Sequence, residues 1–252
     1  MSAQILDGRA IAKRIRTAVK EQIDAENLSP GLAAILVGDD PASHIYVRLK
    51  ERAAARAGIR FERFRVRADA EQEELEQLIQ DLNRREDIHA IMLQLPLPEH
   101  LDEDAAIRTI QPEKDVDGFH PENVSHYLRG EDAIEPVLTR AVVELIRASE
   151  EDLTGKHAAI IANNPAVFAP PILKALDAWQ VTTDWMKRDV DDVQERVKDA
   201  DIVIVALGSA FWLKPEFVKA GAIIIDIGTN KVDDKVGGDV DPAVDKDRKS
   251  DG

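Results

Sequence analysis

The chain alternates between two spacings of apolar residues. Ile11, Ile15, Val19 and Ile23 recur every fourth position and mark one face of a helix, whereas Leu32 to Val37 is an unbroken aliphatic run of strand length, closed by Gly38-Asp39-Asp40-Pro41. The alternation continues with a helix over 42–57 that stops at Gly58, a strand over 61–66, an amphipathic helix over 71–82 and a buried strand over 88–94 ending on the polar Gln94. Pro96 and Pro98 prevent that strand from extending. A short helix over 102–110 and a polar loop over 111–121 follow, and a helix over 139–148 connects to a second, more regular series. That series predicts strands over 158–162, near Val181, over 202–206 and over 223–227, with helices over 167–178, 190–198 and 214–220 between them. Residues 246–252 read as a loose polar end.

Strands separated by helices predict an α/β fold in two parts, an N-terminal α/β lobe over 1–138 and a doubly wound, Rossmann-like parallel-sheet domain over 139–252. Composition agrees. Of the 252 residues 44% are hydrophobic but only 4% aromatic, so the core is aliphatic, as in sheets covered on both faces. No apolar run approaches the ~20 residues of a membrane span and the start lacks a secretion signature, so the chain is expected to be cytoplasmic with no membrane partner.

Charge and residue counts narrow the chemistry. A net charge of −15 repels phosphate backbones and argues against nucleic acid as a partner. The absence of cysteine removes thiolate nucleophiles and leaves acid–base or hydride chemistry as the enzymatic options. The six histidines show no metal-ligand spacing, so no metal site is expected.

Three groups of residues carry candidate chemistry. Tyr46 and Lys50, four apart on the helix over 42–57, project from one face into one small volume. A lysine screened from water beside a phenol has its ammonium form disfavoured and serves as a base or acid near neutral pH, although surface residues on a charge-rich helix show the same spacing. Gln94 ends a parallel strand at the carboxyl edge, where α/β proteins place ligands; a strand-terminal residue turning into solvent would look alike. The third group is Lys114-Asp115-Val116-Asp117-Gly118, a loop with two carboxylates before a glycine, in which a capped turn also accounts for Asp115 and Gly118.

Gln94-Leu95-Pro96-Leu97-Pro98, followed by Pro112-Glu113-Lys114-Asp115-Val116-Asp117-Gly118-Phe119-His120-Pro121-Glu122-Asn123, closely resembles the signature of the bifunctional methylenetetrahydrofolate dehydrogenase/methenyltetrahydrofolate cyclohydrolase family. Ser43, Tyr46, Lys50 and Gly58-Ile59 resemble its Ser-x-x-Tyr-x-x-x-Lys helix, and Gly221-Ala222, Asp226-Ile227-Gly228, Asn230 and Gly238-Asp239-Val240-Asp241 its C-terminal half. The resemblance implies one-carbon chemistry on a tetrahydrofolate derivative, NADP as the nicotinamide cofactor, and a homodimer. It makes the first lobe the catalytic, folate-binding domain and the second the NAD(P)-binding type. Lys50 would then transfer the proton, Tyr46 stack on or orient the folate, Gln94 support the lysine and Asp117 hold the polar edge of the pterin.

The sequence departs from the family in four places. Ala162-Asn163-Asn164-Pro165-Ala166-Val167-Phe168 stands where the family has Gly-Arg-Ser and a further glycine, which removes close backbone approach and, at Pro165, a phosphate donor. Thr229 replaces an isoleucine, Pro136-Val137-Leu138-Thr139 replaces Pro-Cys-Thr-Pro, and the Pro-Gly-Gly loop and closing helix are missing. No cofactor-binding residue is therefore assigned. Three readings stay open: the full bifunctional enzyme, a cofactor-independent cyclohydrolase, and a non-catalytic folate-binding or assembly partner.

Overall fold

The computed structural model describes residues 4–163, 165–232 and 235–246. The chain forms two compact units. One is continuous, Arg9–Val137, and the other is built from the chain on either side of it, up to Gly8 and from Leu138 onward.

The first unit opens with α1 (Gly8–Ala25), then β1 (Gly31–Val37), α2 (Pro41–Ala57), β2 (Arg60–Val66), α3 (Gln72–Arg84), β3 (Ala90–Leu93), α4 (Glu103–Thr109) and α5 (Pro121–Arg129). Its sheet has the order β2-β1-β3, and both pairings are parallel. Successive side chains of β1 point to opposite faces and bury both. Ala33, Ile35 and Val37 pack with Leu75, Ile79 and Leu82 of α3, while Ala34 and Leu36 pack with Val47 of α2. Asp40 caps α2, its carboxylate accepting from the Ser43 N–H at 2.7 Å, Pro41 occupies the first turn, and Gly58 closes the helix.

The second unit continues through α6 (Val137–Arg147), β4 (His157–Ala162), α7 (Pro165–Asp177), β5 (Thr182–Met186), α8 (Val193–Lys198), β6 (Ile202–Ala206) and β7 (Ile223–Asp226). The hairpin β8 (Asn230–Val232) and β9 (Lys235–Gly237) and a turn of helix, α9 (Ala243–Lys246), follow. The main sheet is parallel with order β5-β4-β6-β7. Ala158 and Ile160 of β4 pack toward α6 and α7, and Ala159 and Ile161 pack toward α8, so the sheet is covered on both faces as a doubly wound unit requires. Chain order reverses between β4 and β6, which puts the switch-point crevice at their carboxyl ends.

Two expected elements differ in the structure, and one hairpin was not expected. The helix expected over 214–220 is a single 3-10 turn, Pro215–Phe217, after which Val218 is extended. Adjacent Phe217 and Val218, rather than residues a turn apart, supply its apolar contacts. The polar loop expected over 111–121 contains a 3-10 turn at Pro112–Lys114 and runs into α5, a helix the apolar pattern had missed because its buried residue is the polar Asn123. The hairpin of β8 and β9 was likewise unforeseen, its strands being three residues each. The polar end expected over 246–252 lies, beyond Lys246, outside the described residues.

Candidate active site

The site grows from the loop that follows α4. Lys114 reaches back to the C-terminal end of α3, where its ammonium donates to the carbonyls of Asn83 and Arg85 at 2.8 Å each and of Leu82 at 3.4 Å. A cation there satisfies orphan carbonyls and complements the negative end of the helix dipole. Asp115, buried at 2% exposure, accepts from the His120 N–H at 2.7 Å and the Asn123 amide at 3.0 Å. Asn123 also donates to the Pro112 carbonyl. Asp115 also forms a bridge alongside Ile91 of β3. The capped-turn explanation of Asp115 therefore fits what it does.

With Lys114 and Asp115 committed to holding the loop, Asp117 is the carboxylate left to face the side chains of α2. Burial pushes its pKa up, and the nearby Lys50 charge pulls the other way. Gly118 makes the path possible. Its φ is +69, and a Cβ there would lie 2.8 Å from the Glu135 and Pro136 backbone, so no larger residue fits. The carbonyl of Asp117 accepts from the Val137 N–H at 3.0 Å.

Lys50 lies across from this loop and donates from Nζ to Gln94 Oε1 at 3.4 Å. Gln94 is fixed on both sides, its backbone N–H extending the sheet to the Ile35 carbonyl and its Nε2 donating to the Leu95 carbonyl at 2.7 Å. Tyr46 stands one turn before Lys50, 43% exposed. The structure thus brings Lys50, Gln94 and Asp117 together, with Tyr46 on the same helix.

One expectation about Lys50 does not hold. The residue is exposed, not screened from water by its own chain. Helical spacing puts Lys50 in line with the buried Val47 and Ala54, three before it and four after it, yet its side chain leaves the core toward Gln94 at the end of β3 and stays open to solvent.

The carboxyl edge of the second sheet is built differently. The loop after β4 starts at Asn163, whose amide donates to the Leu207 carbonyl at 2.5 Å, tying together the two loops at the switch point. Asn164 and the side chains of residues 165–168 lie outside the described residues, so the structure bears on the departure in this loop only through Asn163 and the start of α7 at Pro165. The loop after β6 hangs on Asp239, which sequence reading took only as part of a motif. Gly208 in that loop has φ +57, and nothing lies within 4 Å of where its Cβ would be. Gly208 thus leaves open backbone beside the switch point, the edge at which open α/β sheets place ligands.

Comparison with known proteins places these features. The family described as "Tetrahydrofolate dehydrogenase/cyclohydrolase, catalytic domain" matches residues 6–117, and the companion "NAD(P)-binding domain" of the same family matches residues 136–249. The bifunctional protein FolD of Bacillus licheniformis is 41% identical over 245 residues, 96% of this chain and 86% of that protein. Among solved structures, the bifunctional FolD methylenetetrahydrofolate dehydrogenase/cyclohydrolase of Campylobacter jejuni superposes with a TM-score of 0.91 at 35% identity, covering 96% of this chain and 88% of that one. The Trypanosoma brucei methylenetetrahydrofolate dehydrogenase-cyclohydrolase, solved with NADP cofactor and inhibitor, gives 0.91 at 34% identity over 97% and 88% of the two chains. By sequence over nearly its whole length, and by fold, the chain belongs to the tetrahydrofolate dehydrogenase/cyclohydrolase family.

Proposed function

We propose that the chain interconverts one-carbon units carried on tetrahydrofolate, acting as an NADP-linked methylenetetrahydrofolate dehydrogenase and a methenyltetrahydrofolate cyclohydrolase, with Lys50 as the group that moves the proton. The observation that carries the reading is the meeting of Lys50 with Gln94 at 3.4 Å beside the partly buried Asp117. In hydrolysis, water adds to the cationic methenyl carbon as the C=N π electrons return to nitrogen, the Lys50 amine accepts the proton released, and the adduct opens by breaking one C–N bond, the departing nitrogen taking a proton back from the Lys50 ammonium. Gln94 aims the amine, since its own amide is held by the Leu95 carbonyl. Asp117 pairs with the donors along the pterin's guanidine-like edge, a directional charge-assisted contact. Tyr46 offers an aromatic face to the folate ring.

The second unit would hold NADP at its switch point, where Gly208 permits close approach. When bound, NADP supplies the acceptor for the hydride that leaves the methylene carbon. The reading also includes a homodimer, which light scattering of the purified chain tests.

A second reading, hydrolysis without the nicotinamide, is favoured by one observation: α7 opens at Pro165, which has no N–H to offer a phosphate. Parallel assays of methenyl hydrolysis and NADP-dependent methylene oxidation, with Lys50→Met as control, separate the two. Both activities are expected in the wild type. Hydrolysis alone supports the second reading, and loss of neither activity in Lys50→Met refutes the role given to the lysine.

A further inference from the structure

Three successive backbone N–H groups after β6 turn toward a single side chain. Asp239, wholly buried, accepts on Oδ2 from Leu207 at 2.5 Å and Gly208 at 3.1 Å, and on Oδ1 from Ser209 at 2.7 Å. The Asn230 amide adds a fourth bond at 2.9 Å. Consecutive N–H groups of this kind form a cup that binds anions. Here the anion is the protein's own.

The surroundings leave the carboxylate little freedom. Asp226 accepts from the backbone N–H groups of Asp239 and Val240 at 3.0 Å each, fixing the segment that bears it. A Cβ on Gly228 would lie 2.2 Å from Asp239 Cγ, and one on Gly238 would lie 1.8 Å from Asp226 Oδ2, so both glycines leave room for the two acids. On the far side of the cup the loop is bare at Gly208, and its Leu207 carbonyl is taken by Asn163 from the loop after β4.

We propose that Asp239 is a positioning residue for the dinucleotide: by filling the N–H cup from within, it sets the backbone of residues 207–209 at the switch point so that the open surface of Gly208 meets an NADP-class cofactor. The inference rests on the dehydrogenase half of the proposed function. A carboxylate with four satisfied donors also stabilises the fold. A purely stabilising role, however, predicts no change in dinucleotide affinity once the variant is folded.

The test uses the full chain. Asp239→Asn keeps the shape and one acceptor but points an amide N–H₂ at backbone donors. NADP is titrated by calorimetry, and oxidation and hydrolysis are followed in steady state, with circular dichroism confirming that the variant is folded. The Kd and KM for NADP are expected to rise about tenfold, the weight of roughly one charge-assisted hydrogen bond, while kcat at saturating NADP and methenyl hydrolysis stay within about twofold. Wild-type NADP affinity in the folded variant overturns the inference and leaves the proposed function standing. Should Asp239→Asn not fold, Asn230→Ala removes one donor of the four; a rise of about threefold in Kd is expected, and no rise overturns the inference. If the wild-type chain binds no NADP, the dehydrogenase half of the proposed function falls and this inference falls with it.

Discussion

Each unit suspends a loop at a sheet's carboxyl edge from a buried carboxylate, yet the two loops present opposite things. Asp115 holds the loop that delivers a second carboxylate, Asp117, toward the Lys50 amine. Asp239 holds a loop whose exposed centre is Gly208, bare backbone with no side chain at all. On the proposed function, the first unit commits one acid to anchoring and leaves Asp117 to meet the folate beside Lys50. A surface for an extended ligand needs close approach, so the second unit turns its acids inward. The same device therefore serves chemistry in one unit and shape in the other, and substitutions should separate the two uses.

The largest effect is expected at the side-chain site. Lys50→Met keeps length and apolar stem but removes the proposed proton acceptor, and hydrolysis should fall about 10³-fold, the range of general acid–base catalysis. Because Lys50 is exposed and its hydrogen bond to Gln94 is long, at 3.4 Å, the unfolding midpoint should hardly move. A comparable loss of NADP affinity in this variant would break the comparison, since it would make the two loops one functional surface. Next comes the anchor. Asp115→Ala removes the acceptor of the His120 N–H and one of the two acceptors of the Asn123 amide, which should cost about 3 kcal/mol of stability in urea unfolding. Retention of full stability would show that Asp115 anchors nothing.

Asp117 sharpens the contrast through pH. Burial raises its carboxyl pKa above the ordinary 3.8, so the folded chain holds this proton more tightly than the unfolded chain does. Between the ordinary value and the raised one the unfolded state binds fewer protons, so stability falls as pH rises through that window and the penalty is complete above it. Asp117→Asn never ionises. It should therefore be more stable than the wild type at neutral pH, lose that advantage below about pH 4, and lose the folate activities throughout. A difference in midpoint that is flat from pH 3 to pH 7 would contradict the assigned cause of the shift, about 4 being the ordinary carboxylate range.

Much of this was legible in the sequence, for reasons that differ by residue. Strands such as β6, Ile202–Ala206, are buried on both faces and read as unbroken aliphatic runs. Tyr46 and Lys50 could be paired because helical spacing is local. Helix α5 was not legible by periodicity, since its inward position is Asn123, although His120 as cap, Pro121 in the first turn and Gly130 after the end were signals of another kind. The reach of Lys114 to α3 joins residues about thirty apart, and the four bonds on Asp239 draw on donors 9 to 32 residues away. No local pattern predicts pairings across about thirty residues. A motif such as Gly238-Asp239-Val240-Asp241 can mark them, but the partners come only with the fold.

The smallest expected effect concerns the helix that carries Tyr46 and Lys50. Asp40 accepts from the Ser43 N–H at 2.7 Å and satisfies one of the free donors at the start of α2, and its charge faces the positive end of the helix. Asp40→Ala should cost about 1 kcal/mol of stability, the usual weight of an N-cap. If the first unit's chemistry depends on where α2 begins, KM for the folate should rise while kcat holds, because Lys50 lies more than two turns into the helix and Val47 and Ala54 still anchor it from beneath. NADP affinity should not change, since the bonds from Asn163 and Asp239 that hold residues 207–209 lie within the second unit. A fall in kcat with KM unchanged would mean instead that the amine is placed by the helix start as well as by Gln94, and the division between a side-chain site and a backbone site would need to be redrawn around α2.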